Sequence, residues 1–96
     1  MKRDDAIRIL ASHKNDLARF KVKTLSIFGS VARDEAQTGS DIDLLVEFSE
    51  PVGIFEFLDL KDFLEEILQI RVDLATQEAL KKQLREQILK EAIRAA

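Results

Sequence analysis

Two aspartates separated by one residue, Asp41 and Asp43, are the side chains whose type and spacing best suit chemistry. Apolar Ile42 and Leu44 alternate with them as on a half-buried strand, so both carboxylates should project from one face, with Cα atoms roughly 6.6 to 6.8 Å apart. Two anions at that range raise each other's pKa, and a divalent cation between them reverses this effect. The pair therefore predicts a site for Mg²⁺ or Mn²⁺, which prefer oxygen ligands.

A third carboxylate, Asp73, falls on a later predicted strand. Its two apolar neighbours should point to the core, which leaves Asp73 on the opposite face, where it can join the first pair.

Asp-x-Asp alone is weak evidence, because strand positions that face solvent often carry charge. An EF-hand is excluded because Leu45 and Val52 stand at loop positions 5 and 12 counted from Asp41, and a metal-dependent glycosyltransferase requires a far longer chain.

A strand-to-helix bend at Gly29 and Ser30 is the second element that could do chemistry. Glycine lets backbone N–H groups approach an anion, the start of a helix favours negative charge, and the Ser30 hydroxyl adds a donor. The bend suits a triphosphate, or is simply the turn that ends a strand. With three glycines in the chain it is neither a Walker A loop nor a dinucleotide-binding motif. Arg33 could bind phosphate or pair with Asp34 or Glu35.

Helices and short strands alternate around these residues. Hydrophobic periodicity predicts a helix up to about residue 19, strands over 22–28, 41–48 and 70–75, a short helix over 30–36 and a turn over 38–40. A longer helix over 54–68 should pack on two sides, and Thr76 should cap the last helix. The order αβαβαβα predicts an α/β (α+β) fold in which helices cover a small mixed sheet of three strands, as a single domain over residues 1–96.

Composition and charge narrow the function classes. The 96 residues are 46% hydrophobic and 34% charged and include no cysteine. No apolar run reaches the ~18 residues of a membrane span and no signal peptide is evident, so we expect a cytoplasmic protein without disulfides or membrane attachment. Residues 34–66 hold eleven acids and one base. This segment would repel a phosphate backbone, so no direct nucleic-acid binding is expected, whereas divalent cations or a basic partner would suit it.

Taken together, Gly29-Ser30, ten intervening residues and Asp41-Ile42-Asp43 resemble the Gly-Ser-x10-Asp-x-Asp signature of the DNA polymerase β-like nucleotidyltransferase superfamily. In length the chain is similar to the minimal nucleotidyltransferases (MNT proteins), the antitoxins of HEPN/MNT toxin-antitoxin pairs. The resemblance implies a polymerase β-like nucleotidyltransferase core.

The resemblance also implies roles for individual residues. Gly29 and Ser30 would hold the β- and γ-phosphates of ATP, and Arg33 is the further candidate for nucleotide binding. Asp41 and Asp43 would ligate two Mg²⁺ ions, with Mn²⁺ as the other suitable cation. Asp73 would be the third catalytic and metal-binding carboxylate, placed to take the proton of the acceptor.

By the same resemblance, the chain would move AMP from ATP onto a hydroxyl, a tyrosine of a cognate HEPN ribonuclease toxin, and so act as an antitoxin. Two other interpretations stay open. The chain could neutralise its toxin by binding alone, or it could modify a small hydroxylated substrate such as an aminoglycoside. The last helix could offer Leu89 and Ile93 to a partner or to a second copy of the chain, which would make a homo-oligomer.

Overall fold

The computed structural model describes residues 1–37, 39 and 41–96. The elements follow in the order α1 (Arg3–Ser12), α2 (Lys14–Arg19), β1 (Val22–Phe28), α3 (Gly29–Ala32), β2 (Ile42–Phe48), α4 (Ile54–Leu68), β3 (Val72–Thr76), a 3₁₀ turn (Gln77–Ala79), α5 (Lys82–Glu91) and β4 (Ile93–Arg94). The four strands form one sheet in the order β3-β2-β1-β4. β1 is antiparallel to β2 and β4, and β2 is parallel to β3. The predicted α/β class with a small mixed sheet is confirmed.

The alternation of side chains along β2 gives the sheet one buried apolar face and one face that carries Asp43. Ile42, Leu44 and Val46 are buried on one side of the sheet together with Leu25 and Ile27 of β1. Helices α1, α2 and α4 supply the opposing apolar side chains of this core, among them Ala6, Leu10, Leu17, Leu60, Leu64 and Leu68. The odd-numbered positions of β2 project from the other side, which places Asp43 away from the helix layer.

Helix α4 packs against the sheet and, through Phe63, against the ring of Phe20. The prediction that it packs on two sides therefore holds around Phe63 and is wrong for the first two turns. Leu60, Leu64 and Leu68 are buried against the sheet. Ile54, Phe55 and Leu58 are exposed by 64%, 79% and 43%. Their apolar character produced the prediction, but no second layer of the described structure covers that side of the helix.

Other elements also differ from the predictions. The short helix α3 ends at Ala32 rather than at residue 36, and β3 covers Val72–Thr76 rather than 70–75. The first helix is interrupted at His13, whose ring Nδ1 lies 2.9 Å from the carbonyl oxygen of Ile9. The last helix begins at Lys82, because the residues after Thr76 form a 3₁₀ turn. A fourth strand follows it, and the backbone N–H groups of residues 95 and 96 donate to the carbonyl oxygen of Leu25. This strand is too short for its apolar pattern to be recognised.

Part of the predicted turn over 38–40 lies outside the described residues, since Thr38 and Ser40 are not among them. Within the described part of the chain, every helix is too short or too polar to cross a bilayer.

The unequal burial of side chains along α4 predicts unequal effects of two truncations on this helix. Leu64→Ala should lower the free energy of unfolding by about 2 to 5 kcal/mol, because it leaves a cavity in the core. Phe55→Ala should change that free energy by no more than about 0.5 kcal/mol, because the ring is mostly solvated. Urea unfolding of both variants measures the difference, and equal losses would show that Phe55 is packed in solution.

Candidate active site

Asp43 and Asp73 stand side by side on neighbouring parallel strands. They are register partners in the β2–β3 pair, and both project from the face opposite the helix layer. Their carboxyl groups lie within hydrogen-bonding reach of each other. Asp41 precedes β2 by one residue, is exposed, and acts electrostatically on Asp43. The structure thus brings the three predicted acids to one end of the sheet.

The bend after β1 lies directly against this group. Phe28, the last residue of β1, pairs with Asp43, so the chain turns beside that carboxylate. Gly29 has a φ of +73°, and a Cβ atom added there would collide with the Asp43 carboxylate. Glycine is therefore needed both for the backbone conformation and for the close approach. Ser30 follows, half-buried, in the first turn of α3.

The electrostatics of the site disfavour a bare Asp43 carboxylate. Burial, the negative charge and hydrogen bond of Asp73, and the charge of Asp41 together raise the pKa of Asp43 from 3.8 to about 6, while Arg33 opposes the shift. A divalent cation would relieve this repulsion, and carboxylate oxygens are the ligands that Mg²⁺ and Mn²⁺ prefer.

The donor set of Asp41, Asp43 and Asp73 therefore fits such a cation. This fit rests on the carboxylate chemistry of the three side chains and on their closeness to one another. In the described ranges, no group of three or more His, Cys, Asp or Glu side chains is already arranged as a metal site.

Arg33 forms ion pairs with acids from two parts of the chain. Its Nε lies 3.3 Å from Glu35 Oε2, and its Nη1 lies 3.2 Å from Glu91 Oε2 on α5. Pairing with Glu35 is one of the two alternatives that the sequence left open. The contact with Glu91 was missed, because 58 residues separate the two positions and no local pattern signals such a pair. It joins the bend after β1 to the last helix.

A groove leads from the acids to helix α4. Its volume is about 450 Å³, and its wall includes Asp41 and Asp73 together with Leu58 and Lys61 of α4. It follows the outer side of β3, which is the edge strand of the sheet. No local pattern signals that α4 contributes to this wall, because the position of α4 depends on the parallel pairing that brings β3 beside β2.

A larger cavity of about 1020 Å³ lies toward the other end of β2, around Ser26, Leu45 and Glu47.

The close approach at Gly29 predicts a difference between two glycines. Gly39 also has a positive φ (+87°), but no described atom lies within 4 Å of a Cβ placed there. Gly39→Ala should cost about 1 to 2 kcal/mol of stability from backbone strain alone. Gly29→Ala should cost about 1 to 3 kcal/mol more, from the collision with Asp43. In an Asp43→Ala background the excess should disappear, and an excess that persists in urea unfolding would contradict the contact.

The raised pKa of Asp43 predicts that stability falls as pH rises. The native state keeps this proton up to about pH 6, whereas the unfolded chain releases it near pH ~3.9. Between these values the native state binds more protons, so the free energy of unfolding decreases with pH. The whole shift corresponds to ~3 kcal/mol, and solvent screening of the half-buried group lowers the expected loss to about 1 to 2 kcal/mol.

Urea unfolding between pH 4.5 and 7.5 should show a smaller loss for Asp43→Asn than for the wild type. Mg²⁺ added at the higher pH should stabilise the wild type more than this variant. Identical pH profiles for the two proteins would contradict the assignment of the raised pKa to Asp43.

Comparisons with known proteins identify the family and the fold of the chain. Residues 10–95 match the model of the nucleotidyltransferase domain family. The protein adenylyltransferase MntA of Thermococcus cleftensis is 40% identical over 86 residues, which cover 88% of this chain and 87% of that protein. A solved structure of a minimal nucleotidyltransferase superposes with a TM-score of 0.83 at 39% identity and covers 97% of this chain and 95% of that one.

A more distant structure contains a tri-AMPylated Shewanella oneidensis HEPN toxin in complex with MNT antitoxin. It matches with a TM-score of 0.59 at 18% identity, over 91% of this chain and 71% of that one, and shows a shared fold. The chain belongs to the nucleotidyltransferase domain family.

Proposed function

We propose that this nucleotidyltransferase moves AMP from ATP onto a tyrosine hydroxyl of a HEPN ribonuclease toxin and thereby acts as an antitoxin. The observation that carries the proposal is the meeting of Asp43 and Asp73 beside the Gly29 bend. The 40% identity to a relative named protein adenylyltransferase supports the same activity. The MNT antitoxin that shares this fold was found with an AMPylated HEPN toxin, which supports the class of acceptor.

In the proposed reaction, the acceptor oxygen attacks the α-phosphorus of ATP and the bond to pyrophosphate breaks. The backbone at Gly29 and the hydroxyl of Ser30 would bind the β- and γ-phosphates, and Arg33 would add positive charge once it leaves its carboxylate partners. Asp73 would take the proton of the acceptor hydroxyl, since it lies at the groove and is exposed.

Asp41, Asp43 and Asp73 would hold the divalent cations of the site. Bound Mg²⁺ would neutralise phosphate charge and stabilise the oxygens that attack and leave. Most of the rate in such chemistry comes from positioning and charge stabilisation, and fixed strand positions supply the positioning.

The test is AMP transfer to a purified HEPN protein in the presence of ATP and Mg²⁺, followed by intact-mass spectrometry. The wild type should add one or more AMP groups to the HEPN protein. Asp41→Asn and Asp43→Asn should each slow transfer by at least ~100-fold, because each removes an anionic ligand. Asp4→Asn is the matched control, since it neutralises an exposed carboxylate of α1 that forms only a surface ion pair.

Transfer by either site variant at the wild-type rate would refute the assignment of these aspartates. If the wild type forms a stable complex with a HEPN protein whose mass stays unchanged, the alternative function applies, in which the antitoxin acts by binding alone. Circular dichroism of the variants separates loss of transfer from loss of fold.

A further inference from the structure

The first two turns of α4 carry a solvent-exposed apolar surface. The described residues include five exposed large apolar side chains, and three of them, Ile54, Phe55 and Leu58, are neighbours on this helix. We call these three residues the α4 patch. The other two lie on α5. A cluster of this kind on one helix is typical of an interaction surface rather than of scattered surface residues.

The spacing along α4 suits the packing of another helix. Ile54, Leu58 and Lys61 follow one another at intervals of four and three residues, which align them along one side of the helix as a seam on which another helix can pack. Leu60 and its buried neighbours occupy a different side and pack on the sheet. The seam is therefore available to a second helix without any change in the core.

This seam reaches the acids. Leu58 and Lys61 form part of the wall of the groove that also contains Asp41 and Asp73. A protein seated on the α4 patch would therefore lie beside the group that the proposed function assigns to proton removal. A side chain projecting from that protein into the groove would approach Asp73 from the open edge of β3.

The charge around the patch favours a basic partner. Asp59 and Asp62 are exposed beside it, and neither takes part in an ion pair with another described residue. Glu56 by contrast is paired with Lys21 at 2.9 Å. Two copies of the chain joined through this surface would bring these unpaired acids together, which opposes self-association.

We infer that the α4 patch is the docking surface for the acceptor protein, which places on it a helix with an apolar stripe and basic flanks. This inference rests on the proposed function and names how its acceptor is recognised. The patch holds the protein, and the groove admits the acceptor hydroxyl to Asp73. Docking and chemistry then depend on different residues.

The experiment measures binding of a purified HEPN protein to the wild type and to three variants. Phe55→Ala should raise the Kd about tenfold, as truncation of an aromatic anchor does. Asp59→Lys/Asp62→Lys should raise the Kd about tenfold, with a slower association rate at low salt. Leu84→Ala, which shortens an exposed leucine of α5, should stay within about twofold. Affinity for Mg²⁺-ATP should not change in Phe55→Ala, whose ring lines neither cavity.

If both α4 variants bind the HEPN protein as tightly as the wild type does, the proposed docking surface is refuted. It is also refuted if the wild type does not bind the HEPN protein at all. A wild-type dimer in sedimentation that Phe55→Ala dissociates would assign the patch to a second copy instead. AMP transfer is measured on the same samples. If binding depends on Phe55 but no AMP is transferred, the docking surface is supported and the enzymatic activity is refuted. If AMP is transferred and the KM of Phe55→Ala equals that of the wild type, the enzymatic activity is supported and the docking surface is refuted.

Discussion

The parallel pairing of β2 with β3 puts two carboxylates where they repel each other, and the rest of the site depends on that pairing. Asp43 and Asp73 meet because their strands are aligned residue for residue. A slip of one residue would turn either side chain into the core. The alignment is fixed from the opposite face, where Ile42 and Leu44 are buried beside Val72. Burial of these apolar side chains offsets the repulsion on the polar face.

Two contacts outside the core reinforce the same register. The N–H of Ile42 donates to the carbonyl oxygen of Arg71 at 3.0 Å, at the start of the pair. The N–H of Val72 donates to Glu65 Oε2 of α4 at 2.9 Å, so the helix that precedes β3 also holds the beginning of that strand. Because the ladder and the helix act on the same end of the sheet, the acids are fixed where the strands begin rather than on a loop.

Helices α1, α2 and α4 lie on the side of the sheet opposite the acids, and Asp41 and Asp73 are exposed. The bend at Gly29 comes against Asp43 from β1, and α5 approaches the same end through the pair of Glu91 with Arg33. An anionic ligand at the bend would compete with Glu91 and Glu35 for the guanidinium. The electrostatic effect of Arg33 on Asp43 connects the two halves of the site, since it opposes the repulsion among the aspartates.

The sequence by itself determined the mixed fold class and the approximate extents of β1, β2 and α4, because alternation and helical periodicity are local. Strand alternation also predicted one face for Asp41, Asp43 and Asp73, and the register of β2 and β3 places Asp43 beside Asp73. The order of the strands, β4, and the pairing of Arg33 with Glu91 depended on contacts between distant residues. The exposure of Phe55 could not be predicted from the sequence either, because the apolar pattern of a helix is the same whether or not another element covers it. Only the tertiary structure shows which apolar surfaces are covered, because coverage is a property of packing between elements.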